Sequence, residues 1–199
     1  MYTFHLTIDV RPDGHEAYRA YKLAALELTR GAAGHRWSLL LHPQDHYADR
    51  YYQVSQFESE ADLDVSAQDR RMLDLVKRAE PYRHMTRTPA FREVTDVLVD
   101  SGRNGSPAAG PAPRWTHVRY ELAAADRARS WSEQLAAGSP TSSDASGRRI
   151  LLHVAADPRV FYDVTASAVP AVVAAPSGDV VAVTQDYCTV LADLGGRDT

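Results

Sequence analysis

A pattern of strand and helix signals in the first half of this chain returns in the second half at a nearly fixed distance. Leu6, Ile8 and Val10 alternate with His5, Thr7 and Asp9, and Val118, Tyr120 and Leu122 alternate with His117, Arg119 and Glu121 after an offset of 112 residues. Leu151-Leu152-His153 follows Leu40-Leu41-His42 by 111 residues, and Tyr162-Asp163-Val164 follows Tyr52-Gln53-Val54 by 110. Val190-Leu191 then echoes Val97-Leu98. Offsets this constant, with matched residue types, mark an internal repeat. They restrict the fold to two copies of one small unit.

The first copy shows what that unit is. From Tyr2 to Val10 apolar and polar residues alternate strictly, the period of a half-buried strand. Asp13 with Glu16 has the form of a helix N-cap, and Tyr18, Tyr21, Ala25 and Leu28 form one apolar helical stripe that Gly31 ends. Arg36 to His42 and Arg50 to Phe57 read as a hairpin of strands around the turn-rich segment 42–49. Ser59 with Asp62 opens a second helix that runs to about Arg78, with Val65, Met72, Leu73 and Val76 as its apolar positions and Pro81 beyond its end. Phe91 to Val99 is a fourth strand. The order β-α-β-β-α-β is the ferredoxin-like split unit.

Residues 101–113 (SGRNGSPAAGPAP) are a linker by composition. The expected organisation is therefore a ferredoxin-like repeat at 1–100, the linker, a second repeat at 114–194 and a tail at 195–199. In the second repeat Ala124, Ala128, Trp131 and Leu135 supply one helix. Residues 168–178 (AVPAVVAAPSG) are too short and too irregular for another, so this copy is degenerate and the pocket is expected in the first. Residues 139–147 (SPTSSDASG) read as a low-complexity loop.

Composition narrows the function class. A net charge of −4 gives no footprint for nucleic acid, and no apolar run is long enough for a membrane helix. The opening MYTFHLTIDV has neither the basic nor the apolar region of a secretory leader. Cys188 is the one cysteine, so no internal disulfide and no cysteine zinc site can form. The expected location is cytoplasmic. Lysine is rare, at Lys22 and Lys77.

The segment from Gly34 to Leu63, with His35-Arg36-Trp37-Ser38-Leu39 before the hairpin and Phe57-Glu58-Ser59 after it, resembles the antibiotic-biosynthesis-monooxygenase family. Trp37 stands where that family commonly has Tyr, and Phe57 where it commonly has Trp. The resemblance covers about the first 100 residues and reaches the second half only through the repeat. It implies a dimeric α/β-barrel type of structure, which a tandem chain could build from its own halves. It implies an oxygenase that uses O2 on a polycyclic aromatic polyketide, of which the ring-opening and ring-modifying angucycline-type enzymes are one form. Reduced flavin (FADH2 or FMNH2, delivered by a flavin reductase) and O2 without cofactor are both open. Neither metal nor heme is expected. The heme-degrading relatives need a Trp and a His on the second helix, which residues 66–76 lack. A homodimer is a further partner that the resemblance admits. The competing reading is a non-catalytic binding or cyclase-type protein for an aromatic metabolite.

Such chemistry needs a base, a dry pocket and groups that hold an anion. His5 is the candidate base or donor, since the resemblance places it at a pocket-facing position of strand one; Thr3, His5 and Thr7 would then line a pocket under the helices. Trp37 and Tyr52 are candidates for stacking on a planar substrate, with Thr7 and His42 as further substrate contacts. His84 and Arg87, in the polar and aromatic segment 81–87, are candidates for an anion clamp. Each has a plainer alternative: a hydrogen-bonded strand histidine at His5, a hairpin residue facing water at His42, core packing at Trp37 and Tyr52, a solvated loop at His84 and Arg87. His42 and His46 have His-x3-His spacing, but Pro43 and the turn between them do not suit zinc.

Overall fold

A computed structural model describes residues 1–44, 49–83, 86, 91–101, 114–137, 148–167 and 179–195. The chain divides into two compact units, one of residues 1–94 with 190–199 and one of residues 95–189. The class is α+β with antiparallel ladders.

In the first unit β1 (Tyr2–Asp9), β2 (His35–Pro43) and β3 (Arg50–Phe57) form the centre of the sheet, with β3 in the middle. The start of β4 (Phe91–Ser101) lies beside β1 and the end of β8 (Val180–Gly195) beside β2. α1 (His15–Arg30) crosses from β1 to β2. Its expected cap did not form. Asp13 lies in a 3-10 turn, Pro12–Gly14, with its carboxylate 3.3 Å from Arg11, and Gly14 occupies the cap position. The buried stripe is also rotated from the expected one: Tyr18 and Leu26 are the buried residues of α1, while Ala25 and Leu28 are half-buried.

Ser59 caps α2 (Glu60–Gln68) as expected, its Oγ accepting from Asp62 N at 3.2 Å. The expected single helix breaks at Asp69, whose carboxylate accepts from Arg71 N at 2.7 Å and so caps a separate α3 (Arg70–Arg78). Local side-chain capping outcompetes helix continuation here. Val65 and Leu73 are exposed, at 66% and 46%, so the inward side of these helices is carried elsewhere. Pro81 lies within a further short turn, α4 (Glu80–Arg83), rather than beyond the last one.

Gly34 joins α1 to β2 at φ +70°, where a Cβ would stand 2.6 Å from Asp62 Cβ. Gly34→Ala therefore combines left-handed backbone strain with a clash and is expected to cost about 2 kcal/mol or more. Gly31→Ala, which would meet only Leu28 O at 3.6 Å, should stay within about 0.5 kcal/mol. Urea midpoints of the two variants check the contrast.

In the second unit β5 (Arg114–Leu122) lies between β7 (Val160–Ser167) and the start of β8. β6 (Arg149–Val154) joins β7 to the end of β4. Three of the four residues of the expected stripe form the apolar side of α5 (Ala128–Ala137): Ala128, Trp131 and Leu135 pack with Val118, Tyr120, Leu122 and Phe161, while Ala124 lies before the helix and is exposed. Trp115 is 4% exposed and Cys188 5%, as core residues.

The ladders of the two units share a register. His5 faces Val54 and His117 faces Val164; Thr7 faces Tyr52 and Arg119 faces Tyr162. Leu40 faces Gln53 and Leu151 faces Asp163. These are the residues that the offsets of 112, 111 and 110 pair in the sequence. Ser101, expected to open the linker 101–113, ends β4 instead; residues 102–113, the loop 139–147 and the segment 168–178 lie outside the described residues.

Candidate functional site

Strand β1 is buried on both faces. Ile8 and Val10 pack with Tyr18 and Leu26 of α1, together with Leu40 and Tyr51, so this set of side chains faces the helix. Thr3, His5 and Thr7 alternate with them and face away from α1. The expected orientation is therefore reversed: His5 does not line a space under the helices. The reason is that both sets can be buried, the apolar one by packing and the polar one by hydrogen bonding.

On the face away from α1 the structure brings together His5, Thr7, Trp37 and Tyr52. His5 is 0% exposed, its ring centroid 5.9 Å from Tyr52 and its Nδ1 3.7 Å from a carboxylate oxygen of Glu93. Trp37, also 0% exposed, donates from Nε1 to Gln56 Oε1 at 3.1 Å, and Gln56 Nε2 donates to Thr3 Oγ1 at 3.1 Å. Thr7 is half-buried. The second unit repeats the histidine–tyrosine contact, with His117 and Tyr162 5.4 Å apart.

His42 is on the opposite face. It does not stand in water as a hairpin residue would. Its Nε2 is 2.9 Å from His15 Nε2, and His15 Nε2 is also 2.8 Å from the Tyr51 hydroxyl. Its ring nitrogen thus engages His15; His46, its partner in the zinc spacing, lies outside the described residues, as do His84 and Arg87. Among the described residues no group of three or more His, Cys, Asp or Glu gathers to hold a metal. His15 keeps 22% of its side chain exposed, at the edge where α1 begins. Burial is the main cause that pushes the Tyr51 hydroxyl up to about 12, so it remains a donor at neutral pH. In the sequence His15 stands between Asp13 and Glu16 of the expected cap, and nothing in its local spacing marks a partner 27 residues away.

From this cluster a run of rings leads along α1. Tyr51 and Tyr18 are 5.8 Å apart, Tyr18 and Tyr21 5.8 Å, Tyr21 and Tyr82 6.4 Å. Tyr21 and Tyr82 wall a cavity of about 200 Å³ between α1 and α3–α4, with Ala24, Leu75 and Arg78. A flat aromatic between two tyrosines, with a guanidinium at hand for an anionic group, suits that lining. The volume lies below the roughly 300–1,000 Å³ of sites for drug-sized ligands. The second unit has a cavity of about 300 Å³ beside His153, the repeat partner of His42, lined also by Phe161, Asp126 and Arg129. No helix among the described residues is long and apolar enough to cross a membrane.

No protein family and no curated protein matches the sequence. Solved structures do match. One is a candidate monooxygenase from Fusobacterium nucleatum subsp. nucleatum, 10% identical, with a TM-score of 0.75 over 100% of this chain and 96% of that one. Another is a candidate monooxygenase from Lactobacillus acidophilus NCFM, 11% identical, with a TM-score of 0.72 over 98% and 95%. A third is an anthrone oxidase-like protein, 7% identical, with a TM-score of 0.64 over 99% and 94%. At these identities the chain shares its fold with proteins of those descriptions.

Proposed function

We propose that this chain is an O2-dependent oxygenase or oxidase for an electron-rich, phenolic polycyclic aromatic of the anthrone type, and that the second unit is a degenerate copy of the first. The observation that carries the reading is the His15–His42–Tyr51 cluster, three proton-bearing groups within hydrogen-bond distance at the edge of the α1-covered face. A run of aromatic rings joins it to a cavity. Two imidazoles whose Nε2 atoms are 2.9 Å apart can share one proton. In the protonated pair His15 Nε2–H donates to His42 Nε2, with the Tyr51 oxygen as a second acceptor, a charge-assisted arrangement stronger than a neutral one. The pair takes a proton from the acidic C–H of the substrate. The resulting carbanion is itself the reductant of O2, and overall a ring CH2 and O2 give C=O and H2O. The chain's part is to take the proton, exclude water and hold the anion. Of the structural neighbours, the one described as anthrone oxidase-like agrees with this substrate class.

A second reading places the base at His5, favoured by the Glu93 carboxylate 3.7 Å from its Nδ1. O2 uptake with an anthrone, with and without enzymatically reduced FAD or FMN, tests both. His15→Ala and His42→Ala should each lower kcat about a hundredfold, with His5→Ala acting on stability instead. A kcat loss confined to His5→Ala would move the base to the other face. Uptake only with reduced flavin would make flavin the co-substrate. Tight binding of the aromatic without any uptake would leave a binding protein.

A further inference from the structure

α1 runs alongside β2 in the opposite direction. His15 meets His42 at one end, and His35 N donates to Ala32 O just beyond the other. Lys22 follows Tyr18 by four residues and precedes Leu26 by four, so it belongs to the stripe that those two bury. From His15 to Lys22 the helix rises about 10 Å, and the same distance along β2 from His42 is about three residues. That level is Leu39–Leu40, and Leu40 faces Gln53 across the ladder.

The polar groups at this level are unusual. His35 Nε2 lies 2.9 Å from Ser38 Oγ, Ser38 Oγ 2.7 Å from Ser55 Oγ, and Gln53 Nε2 donates to Ser55 Oγ at 2.8 Å. The chain ends on Gln53 Oε1, a buried acceptor with no partner among the described residues, in a side chain that is 6% exposed. Such an orphan is costly. No described residue pairs with Lys22 either. Lys22 retains some exposure, yet dense apolar surroundings bring its pKa down to about 8. Leu6, which also faces Gln53, is half-buried although Phe4 and Ile8 on either side are buried, so solvent reaches this level.

The second unit shows how the same position looks when it is complete. Asp163 takes the place of Gln53 in the ladder, and Arg149, two residues before Leu151, holds it in a buried bidentate pair with Nη2–Oδ2 at 2.7 Å. In the first unit the sheet has the neutral amide, and the cation sits on the helix.

We propose that Lys22 and Gln53 form an aromatic-ligand subsite under α1, Lys22 donating to a phenolate or carbonyl oxygen and Gln53 Oε1 accepting from the neighbouring hydroxyl. The ligand class is a hydroxyaryl ketone or an ionised catechol. The subsite rests on the aromatic substrate class proposed above, but not on the oxidation. Alizarin is a suitable probe, since its visible band shifts when its phenol ionises and O2 does not consume it. Below the pH at which the free dye ionises, the wild-type protein should bind it as the phenolate. Lys22→Met should lose the phenolate band and weaken binding by roughly tenfold to a hundredfold, Lys22→Arg should keep the band, and Gln53→Leu should weaken binding with the band retained. Circular dichroism of each variant shows that it is folded. Unchanged affinity and band in Lys22→Met, or no binding by the wild type, would overturn the subsite. Alizarin bound as described while anthrone draws no O2 would leave the subsite standing and remove only the oxygenase.

Discussion

Asp163→Ala is expected to destabilise the unit of residues 95–189 by about 3–5 kcal/mol. Asp163 and Arg149 are 8% and 5% exposed, and three contacts of 2.7–3.2 Å join them. Thr165 Oγ1 adds a donor to Asp163 Oδ1 at 3.0 Å. Removing the carboxylate leaves a guanidinium in a buried ladder with nothing opposite its charge. Replacing both partners by apolar residues of similar size, Asp163→Leu with Arg149→Met, leaves no such charge and should fall within about 1 kcal/mol of the parent. Urea unfolding gives the magnitudes, and hydrogen exchange at the β6–β7 amides places the loss. A single variant as stable as the double one would show that the pair is solvated.

Lys22→Met is expected to act in the other direction and stabilise the first unit below pH 8. The folded-state pKa of about 8 is below the ordinary 10.5, so folding disfavours the ammonium. Between these values the unfolded chain binds more protons, and stability rises as pH rises from about 8 to about 10.5. Below pH 8 the full penalty applies. It amounts to at most about 3 kcal/mol, reduced by whatever solvent still screens the side chain. In Lys22→Met the rise should vanish and the neutral-pH melting temperature should increase by several degrees. Melting curves of both proteins at pH 7 and pH 10 check this, and a parallel pH dependence in the two would refute it. A residue that weakens the fold and strengthens ligand binding is a common signature of a functional position.

The alternation at Tyr2–Val10 and the near-constant offsets sufficed to place β1, the β2–β3 hairpin and their counterparts β5–β7. Which face of β1 meets the helix was beyond such reasoning. Thr3 and His5 are as buried as Phe4 and Ile8: Gln56 donates to Thr3 Oγ1, and His5 lies against the Tyr52 ring with Glu93 beside it. Period 2 separates two faces but does not rank them when both are covered. His5, Thr7, Trp37 and Tyr52 come to share one face only through the strand pairing of β1, β2 and β3. His15 and Lys22 escaped notice for different reasons. The partners of His15 are reached only through tertiary packing. Lys22 could have been found from a stripe drawn through Tyr18 and Leu26, where a lysine interrupts an apolar row; the expected stripe through Tyr18, Tyr21, Ala25 and Leu28 passes it by. The break at Asp69 was a contest between two caps, settled by a contact two residues along.

The division of β8 between the two units sets an order of assembly. The second neighbour of β2 is β8, of which Val190–Gly195 belong to the first unit, and their Leu191, Ala192 and Leu194 also finish the core under α1. During synthesis at about 5–20 residues per second, the stretch between residues 94 and 190 takes roughly 5–20 s to emerge. For that time the apolar run Leu39-Leu40-Leu41 lies on an open sheet edge, the kind that templates aggregation. Residues 95–189 are contiguous and have all their strands first. The half of the chain that the ribosome makes first is the half that is completed last, and a chaperone that shields β2 would have its longest task there.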